Sequence, residues 1–359
     1  MLPKPTVPDL FLKNFSIKEK VNYYWKLIQK NKGASGDKLI FNGINKNNSK
    51  DILLVKQIQI DDDNDANINE EDLIHILNEF YIPLKLKGKN YFPKNIYGCL
   101  SNDEKYLYLI IKEDVIPLNY LITSKKFDCL KDNQLGKWII YQITVSLFIL
   151  HSSDIIHNDI KPTNILINSE GRASLYGFNS ATFKGEECYE FTLSYASPEI
   201  LIGITKPDEK MDMWGLGVII LEFYLKTYLI FKKENISDKK KQLNFILSKY
   251  GIKDNITIDE LKNILNNENN SYQIDKNILA PIKDKDAKDL INNLLSLNSK
   301  NRFSAKEVLN SEYLKDFKEF ENIISLNNII EKPFYSKEIC ENKLNKNKFK
   351  EIIKKIISN

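Results

Sequence analysis

The rhythm of apolar and polar positions changes partway along the 359-residue chain. In the first third, KLIF (38–41), ILLVKQIQI (52–60) and KYLYLII (105–111) are short apolar runs separated by Gly, Asn and Asp. Runs of this length, bounded by breakers, predict β-strands. EEDLIHILNEFYIPL (70–84) interrupts the series with helical spacing. From about residue 118 onward, apolar residues recur three to four apart in LGKWIIYQITVSLFILHSS (135–153), MWGLGVIILEFYL (213–225) and AKDLINNLLSLN (287–298). That period predicts helices. A small β-rich part followed by a larger helical part predicts an α+β fold in two lobes, with no internal repeat. FKEIIKKIISN (349–359) reads as a short basic amphipathic helix. Docking on its own domain is its expected fate, with a partner or a membrane surface as the alternatives.

Composition narrows the class. Hydrophobic residues make up 42% and charged residues 28%, an ordinary globular balance. A formal net charge of +4 demands neither nucleic acid nor an anionic membrane as a partner. Residues 138–150 are too short for a membrane span and carry Gln142, Thr144 and Ser146, while residues 216–231 are interrupted by Glu222 and Lys226. No membrane span is expected. MLPKPTVPDLF carries Pro and Asp where a signal peptide needs an unbroken apolar stretch. Cys99, Cys129, Cys188 and Cys340 form no CxxC pair, so neither a disulfide frame nor a zinc site is expected, and a reducing, intracellular setting fits. Lys and Asn are used heavily, and Arg172 and Arg302 are the only arginines, so the acidic run at 61–65 and the NNENN stretch at 266–270 read simply as solvated loops.

One stretch carries chemistry. His157-Asn158-Asp159-Ile160-Lys161-Pro162-Thr163-Asn164 resembles the protein-kinase catalytic loop H-R-D-x-K-x-x-N. SPEIL (197–201) resembles the A-P-E motif, DMWGLGVIILE (212–222) the D-x-W-x-x-G helix, and LNSKNRFSAKEVL (297–309) the segment with the late Arg. Four motifs in the family's order identify the chain as resembling the eukaryotic protein kinase superfamily over about residues 20–315. Lys161 and TLSYASPE make it similar to the Ser/Thr rather than the Tyr branch. The resemblance implies an N-terminal extension at 1–20, a small lobe at about 21–114, a helical lobe at about 115–315 and a C-terminal tail at 316–359.

It also implies roles. Asp159 would orient the substrate hydroxyl, Lys161 would neutralise the transferring phosphoryl group, and Asn164 would offer an amide oxygen to a Mg²⁺ ion. Thr192 would tie the substrate-side loop to Asp159 and Lys161. Asp212 belongs to the motif that anchors the catalytic loop. Glu199 and Arg302 would form a structural ion pair, for which the planar guanidinium suits a carboxylate in bidentate fashion. In the smaller lobe Lys56 resembles the strand lysine that holds the α/β-phosphates, with Glu79 as its helix partner. NKGASGDKL (31–39) resembles the Gly-rich loop, with only Gly33 and Gly36 retained and Asn31 in first place. Leu166 would form the floor beneath adenine.

Several positions depart from that pattern. Gly177-Phe178-Asn179 stands where D-F-G supplies the carboxylate for Mg²⁺, and glycine has no side chain to coordinate. Metal clamping contributes several kcal/mol, so its loss should slow transfer roughly a thousandfold or more. Alternation along a strand turns Leu54 to the same side as Lys56, putting bulk where the family has Ala over adenine. An alternative register, off by one, would instead turn Leu54 into the lobe's own core. Lys38 stands where the family has an apolar roof residue. Pro83, four residues after Glu79, should bend or end the helix there. Asn158 replaces the Arg that reads an activation-loop phosphate, so phosphorylation of Thr182, Tyr189 or Thr192 meets no obvious cation.

These departures imply a pseudokinase acting as a protein-binding scaffold or allosteric regulator, with no cofactor or only weak ATP binding and a compromised Mg²⁺ site. Its expected partner is another protein, an active kinase or its substrate, and not nucleic acid, in the cytoplasm or nucleus. The alternative is a slow or metal-atypical ATP-dependent Ser/Thr protein kinase in which Lys38 stands in for the missing metal charge.

Overall fold

The computed structural model describes residues 25–32, 38–45, 52–60, 70–87, 89, 91–101, 104–113, 115–122, 133–168, 171–188, 190–227, 230–231, 238–252, 258–266, 272–323 and 346–358. The chain divides into two units, one comprising the residues up to Val115 together with those from Lys332 onward, the other Ile116–Glu331.

The first unit is built on five antiparallel strands. These are β1 (Trp25–Lys32), β2 (Lys38–Asn45), β3 (Ile52–Gln59), β4 (Ile96–Leu100) and β5 (Tyr106–Ile111), in the order β1-β2-β3-β5-β4. Register is set by which face of β3 is apolar. Leu53 and Val55 cluster with Tyr97, Cys99, Tyr108 and Ile110 on one face. Leu54 and Lys56 therefore lie on the other, with Lys56 opposite Leu109 on β5. The helix α1 (Glu70–Lys85) lies between β3 and β4 in sequence and contacts β4. Pro83 falls inside it. The missing N–H leaves the Glu79 carbonyl without its usual donor. The helix nevertheless continues to Lys85, because the lost bond lies close to the end, where carbonyls go unpaired in any helix.

The second unit is mainly helical. It opens with β6 (Val115–Pro117) and α2 (Leu118–Ile122), followed by α3 (Asn133–His151). Polar residues within the apolar run of α3 are absorbed locally. Thr144 Oγ1 and Ser146 Oγ donate back to the carbonyls of Ile140 and Gln142, at 2.7 and 3.1 Å. Next come β7 (Ile155–Ile156), a 3-10 turn at Pro162–Asn164, β8 (Ile165–Asn168), β9 (Ala173–Leu175) and β10 (Thr182–Phe183). Strands β6, β8 and β9 form one small sheet, and β7 pairs with β10. Gln142 on α3 pins the β8–β9 turn, donating to the Gly171 carbonyl and accepting from the Ala173 N–H, both at 3.1 Å.

The remaining helices of this unit are α4 (Pro198–Leu201), α5 (Glu209–Leu225), α6 (Lys239–Ser248), α7 (Ile258–Asn266), α8 (Lys276–Leu279), α9 (Lys285–Leu294) and α10 (Ala305–Leu309). Met211 to Tyr224 of α5 are buried without a break, so this helix is the unit's axis. Its N-terminus is capped by Asp208 and its C-terminus by Lys226 in the left-handed region (φ 51°). Capping decides where the last helices start. Asp284 accepts from the Ala287 N–H at α9, and Ser304 with Glu307 forms a capping box at α10.

The final helix, α11 (Lys346–Ser358), belongs to the first unit, where it contacts α1 and β4. Phe349, Ile352, Ile353 and Ile356, at helical spacing, are its buried stripe. Lys350 and Lys354, one turn apart, both reach the Glu104 carboxylate, at 3.8 and 2.5 Å. This is the docking of the terminal helix on its own domain that its amphipathic pattern leads one to expect.

Candidate active site

In the first unit, the strand lysine meets the helix glutamate. Lys56 Nζ donates to Glu79 Oε1 at 2.6 Å, and the Glu79 side chain is fully buried. Pro83 has not displaced Glu79, since the stretch of α1 that carries it precedes the interruption. Leu54 is half-buried on the same face as Lys56, and the backbone of Lys38 stands opposite Ile58 at the start of β2. Gly33 and Gly36 lie outside the described residues.

In the second unit, the loop after β7 is fixed from below by one carboxylate. Asp212, buried on α5, accepts the backbone N–H groups of His157 and Asn158, each at 2.8 Å, and contacts His151 Nε2 at 2.9 Å. The helix can approach the loop this closely because position 215 is glycine. A β-carbon there would lie 2.7 Å from the Ile160 carbonyl oxygen. His157 adds a second brace: its Nδ1 faces the Asp159 N–H and its Nε2 faces the Tyr176 carbonyl, at 3.3 and 3.1 Å. Its ring packs on buried Phe178, with centroids 5.0 Å apart.

This scaffold presents a compact polar set. Lys161 Nζ bridges Asp159 Oδ2 at 2.5 Å and Thr192 Oγ1 at 2.7 Å. Asn164 Nδ2 donates to the Asp159 carbonyl at 2.8 Å and to Asp159 Oδ2 at 3.0 Å. Burial pushes the Asp159 carboxyl up, but Lys161 and the hydrogen bond from Thr192 outweigh it and hold the group below the usual carboxylate range. Asp159 is thus an anion near neutral pH. Its Oδ1 is buried without a hydrogen-bond partner closer than the Thr192 side chain among the described residues.

The ion pair at the far end of the activation segment forms as its motifs imply. Arg302, 1% exposed, grips Glu199 through both terminal nitrogens at 2.7 and 3.1 Å and donates to the carbonyls of Lys210 and Ser296. Its guanidinium lies 5.2 Å from the Trp214 ring centroid. Leu166 is buried in β8, opposite Ser174.

Position 177 carries glycine where the kinase pattern has its metal-binding aspartate. Gly177 has a φ of +84°, which glycine adopts freely. A β-carbon built there would sit 2.6 Å from Asn164 Oδ1 and 2.7 Å from its Cγ. The Asn164 amide therefore occupies the space into which a side chain at 177 would project. Among the described residues no group of three His, Cys, Asp or Glu side chains could hold a metal ion. The donors at hand are one amide oxygen and a carboxylate already paired with lysine, a poor match to the carboxylate oxygens that Mg²⁺ favours.

Two contacts escaped the sequence reading. Asn158, 3% exposed, does more than remove an arginine: its Nδ2 donates to the Ser180 carbonyl and to Thr182 Oγ1, both at 2.8 Å. Asn179 Nδ2 likewise reaches Glu190 Oε2 at 3.1 Å. The sole signal for either was an asparagine, a residue that tolerates unusual backbone angles and donates two hydrogen bonds.

Comparison with known proteins places the fold and these motifs in one class. Residues 32–314 match the protein kinase domain. The chain belongs to the eukaryotic protein kinase superfamily. Its relatives include the extracellular signal-regulated kinase 2 of Dictyostelium discoideum, 26% identical over 310 residues covering 82% of this chain and 80% of that protein. The mitogen-activated protein kinase pmk-1 of Caenorhabditis elegans is 30% identical over 213 residues, 56% of this chain and 55% of the relative. The mitogen-activated protein kinase p38a of Drosophila melanogaster is 28% identical over 242 residues, 64% and 62% respectively. The alignments thus span a little over half of the last two relatives' length. No helix among the described residues is long and apolar enough to cross a membrane.

Proposed function

We propose that this protein is a pseudokinase that works by binding other proteins, with little or no phosphoryl transfer of its own. One observation carries the reading: Gly177 offers no carboxylate, and the Asn164 amide fills the space one would need. Without an acidic oxygen there, Mg²⁺ has no anchor, so nucleotide binding is weak or absent. The structural pairs are intact beside this loss. Glu199–Arg302 and the Asp212 contacts preserve the helical unit as a surface for a partner, an active kinase or a substrate of one. Its mitogen-activated relatives support a place in cytoplasmic or nuclear signalling.

A second reading, a slow Ser/Thr kinase with an unusual metal requirement, is favoured by Lys56–Glu79 and by the retained Asp159–Lys161–Thr192 set. Phosphate transfer from ATP to general protein substrates separates the two, with Asp159→Asn as control. The pseudokinase reading expects no transfer above the Asp159→Asn background in Mg²⁺ or Mn²⁺. Metal-dependent turnover abolished by that substitution would overturn it in favour of the slow kinase.

A further inference from the structure

Two side-chain amides, those of Asn158 and Asn179, tie down described residues between Gly177 and Glu199. Asn158 sits in the left-handed region (φ 64°), where asparagine is among the few side chains at ease. Its backbone N–H is fixed by Asp212, and both protons of its amide are spent on the segment, one on the Ser180 carbonyl and one on Thr182 Oγ1. A flipped amide would set its oxygen against the Ser180 carbonyl oxygen, so this orientation follows from the network. Directly beyond, Thr182 and Phe183 pair with Ile156 and Ile155, and the Lys184 N–H donates to the Asp154 carbonyl at 2.7 Å. Asn179 draws the start of the segment to Glu190, the Cys188 N–H donates to the Thr205 carbonyl at 2.7 Å, and Lys161 holds Thr192. Thr182 is 5% exposed with its hydroxyl facing an amide donor rather than a cation, whereas Thr192, contrary to the sequence expectation, faces the Lys161 ammonium at 2.7 Å.

We propose that Asn158 is a positioning residue that keeps residues 180–184 of the activation segment ordered with no phosphate on Thr182, making that stretch a fixed element rather than a phosphorylation switch. This rests on the kinase fold and the placement of the catalytic loop, and holds whether or not the protein transfers phosphate. It is one bracket: the amide joins the Asp212-anchored loop on one side to the β7–β10 ladder on the other. An aspartate at 158 keeps the shape and the left-handed backbone but sets a carboxylate oxygen against the Ser180 carbonyl, while the Thr182 hydroxyl can turn to donate to it. A glycine keeps the backbone and deletes the amide.

Hydrogen exchange on the phosphatase-treated full chain, verified free of phosphate by intact mass, tests this directly. The expected result is protection of the Ala181 and Lys184 amides in the untreated and phosphate-free wild type alike. Asn158→Asp and Asn158→Gly are expected to exchange there about tenfold faster or more, from loss of the hydrogen bond to the Ser180 carbonyl and, in the glycine variant, of that to Thr182 as well, with tryptic cleavage after exposed Lys184 rising in parallel. Thr182→Val, which removes one acceptor only, is expected to give a smaller rise, and it carries the test should the 158 variants not fold. Peptides from α5 report intact folding. Fast exchange at 181–184 in the phosphate-free wild type, or wild-type exchange in the variants, would overturn the proposal. Neither result bears on turnover, which is read in the separate transfer assay.

Discussion

Replacing Gly177 by alanine isolates the feature on which the functional reading turns. The substitution carries two penalties. A β-carbon at φ +84° is strained by about 1 kcal/mol. That carbon also meets Asn164 Oδ1 at 2.6 Å, inside any real contact, so the amide must swing away. Swinging breaks the bonds from Asn164 Nδ2 to the Asp159 carbonyl and to its charged Oδ2. A neutral and a charge-assisted hydrogen bond together contribute about 2–4 kcal/mol. The sum is about 3–5 kcal/mol, which for a unit of this size corresponds to a fall in Tm of roughly 6–20 °C. Thermal unfolding by circular dichroism, in EDTA and in Mg²⁺, is the assay. Gly177→Ala should fall by this amount in both. Gly177→Asp should fall as far in EDTA, since it also brings a second carboxylate toward Asp159. It should recover in Mg²⁺, because the introduced carboxylate and the displaced Asn164 amide then make the oxygen pair that the wild type lacks. A Gly177→Ala chain as stable as wild type would refute the reasoning, for it would mean that Asn164 does not depend on the empty position.

The Lys56–Glu79 and Glu199–Arg302 pairs answer differently to perturbation. Lys56→Met should destabilise the first unit by about 3–5 kcal/mol, because it strands the fully buried Glu79 carboxylate, and adding Glu79→Leu should recover much of the loss in urea titrations; equal stability of the single variant and wild type would contradict it. At Glu199, burial pushes the carboxyl up, but Arg302 prevails and holds it below the usual range. A depressed folded-state pKa gives stability that is fully present above about pH 4.3, the unfolded value, and is lost as pH falls toward the folded one. The urea midpoint of wild type should therefore drop more steeply below about pH 4.3 than that of Glu199→Gln, and parallel curves would count against the pair.

Much of this was legible in the residues, for reasons that differ by element. β2, β3, β5 and α1 were readable because their apolar positions keep a clean period over a full element. β1 (WKLIQKNK) was hidden because its apolar positions are diluted by Lys, Gln and Asn, and β4 (IYGCL) because Gly98 interrupts it. β7 and β10 are two residues each and exist only as a ladder, so no local period encodes them. In the site, spacing was enough to bring Asp159 and Lys161 together, because a short loop between β7 and β8 leaves little freedom, and the family pattern supplied Thr192. The Lys56–Glu79 contact was foreseeable in kind, but Pro83 argued against it, since sequence gives no measure of how near a helix end must be before a proline is harmless. The filling of position 177 by Asn164 depends on a backbone angle and a rotamer, and the amide bracket at Asn158 depends on where Ser180 and Thr182 return. Both are facts of tertiary closure that no pattern along the chain contains.

The seat of α11 has a consequence for how the protein comes into being. The helix that covers α1 and β4 is encoded after every residue of the second unit. During synthesis at about 5–20 residues per second, the early sheet must wait on the order of tens of seconds for its own missing piece. Through that interval an apolar surface made for Phe349 and Ile353 faces the cell, and the bearer of Glu79 stands without its outer support. The smaller unit is thus begun before the larger one and finished after it, and its maturation reports that the second unit has been made.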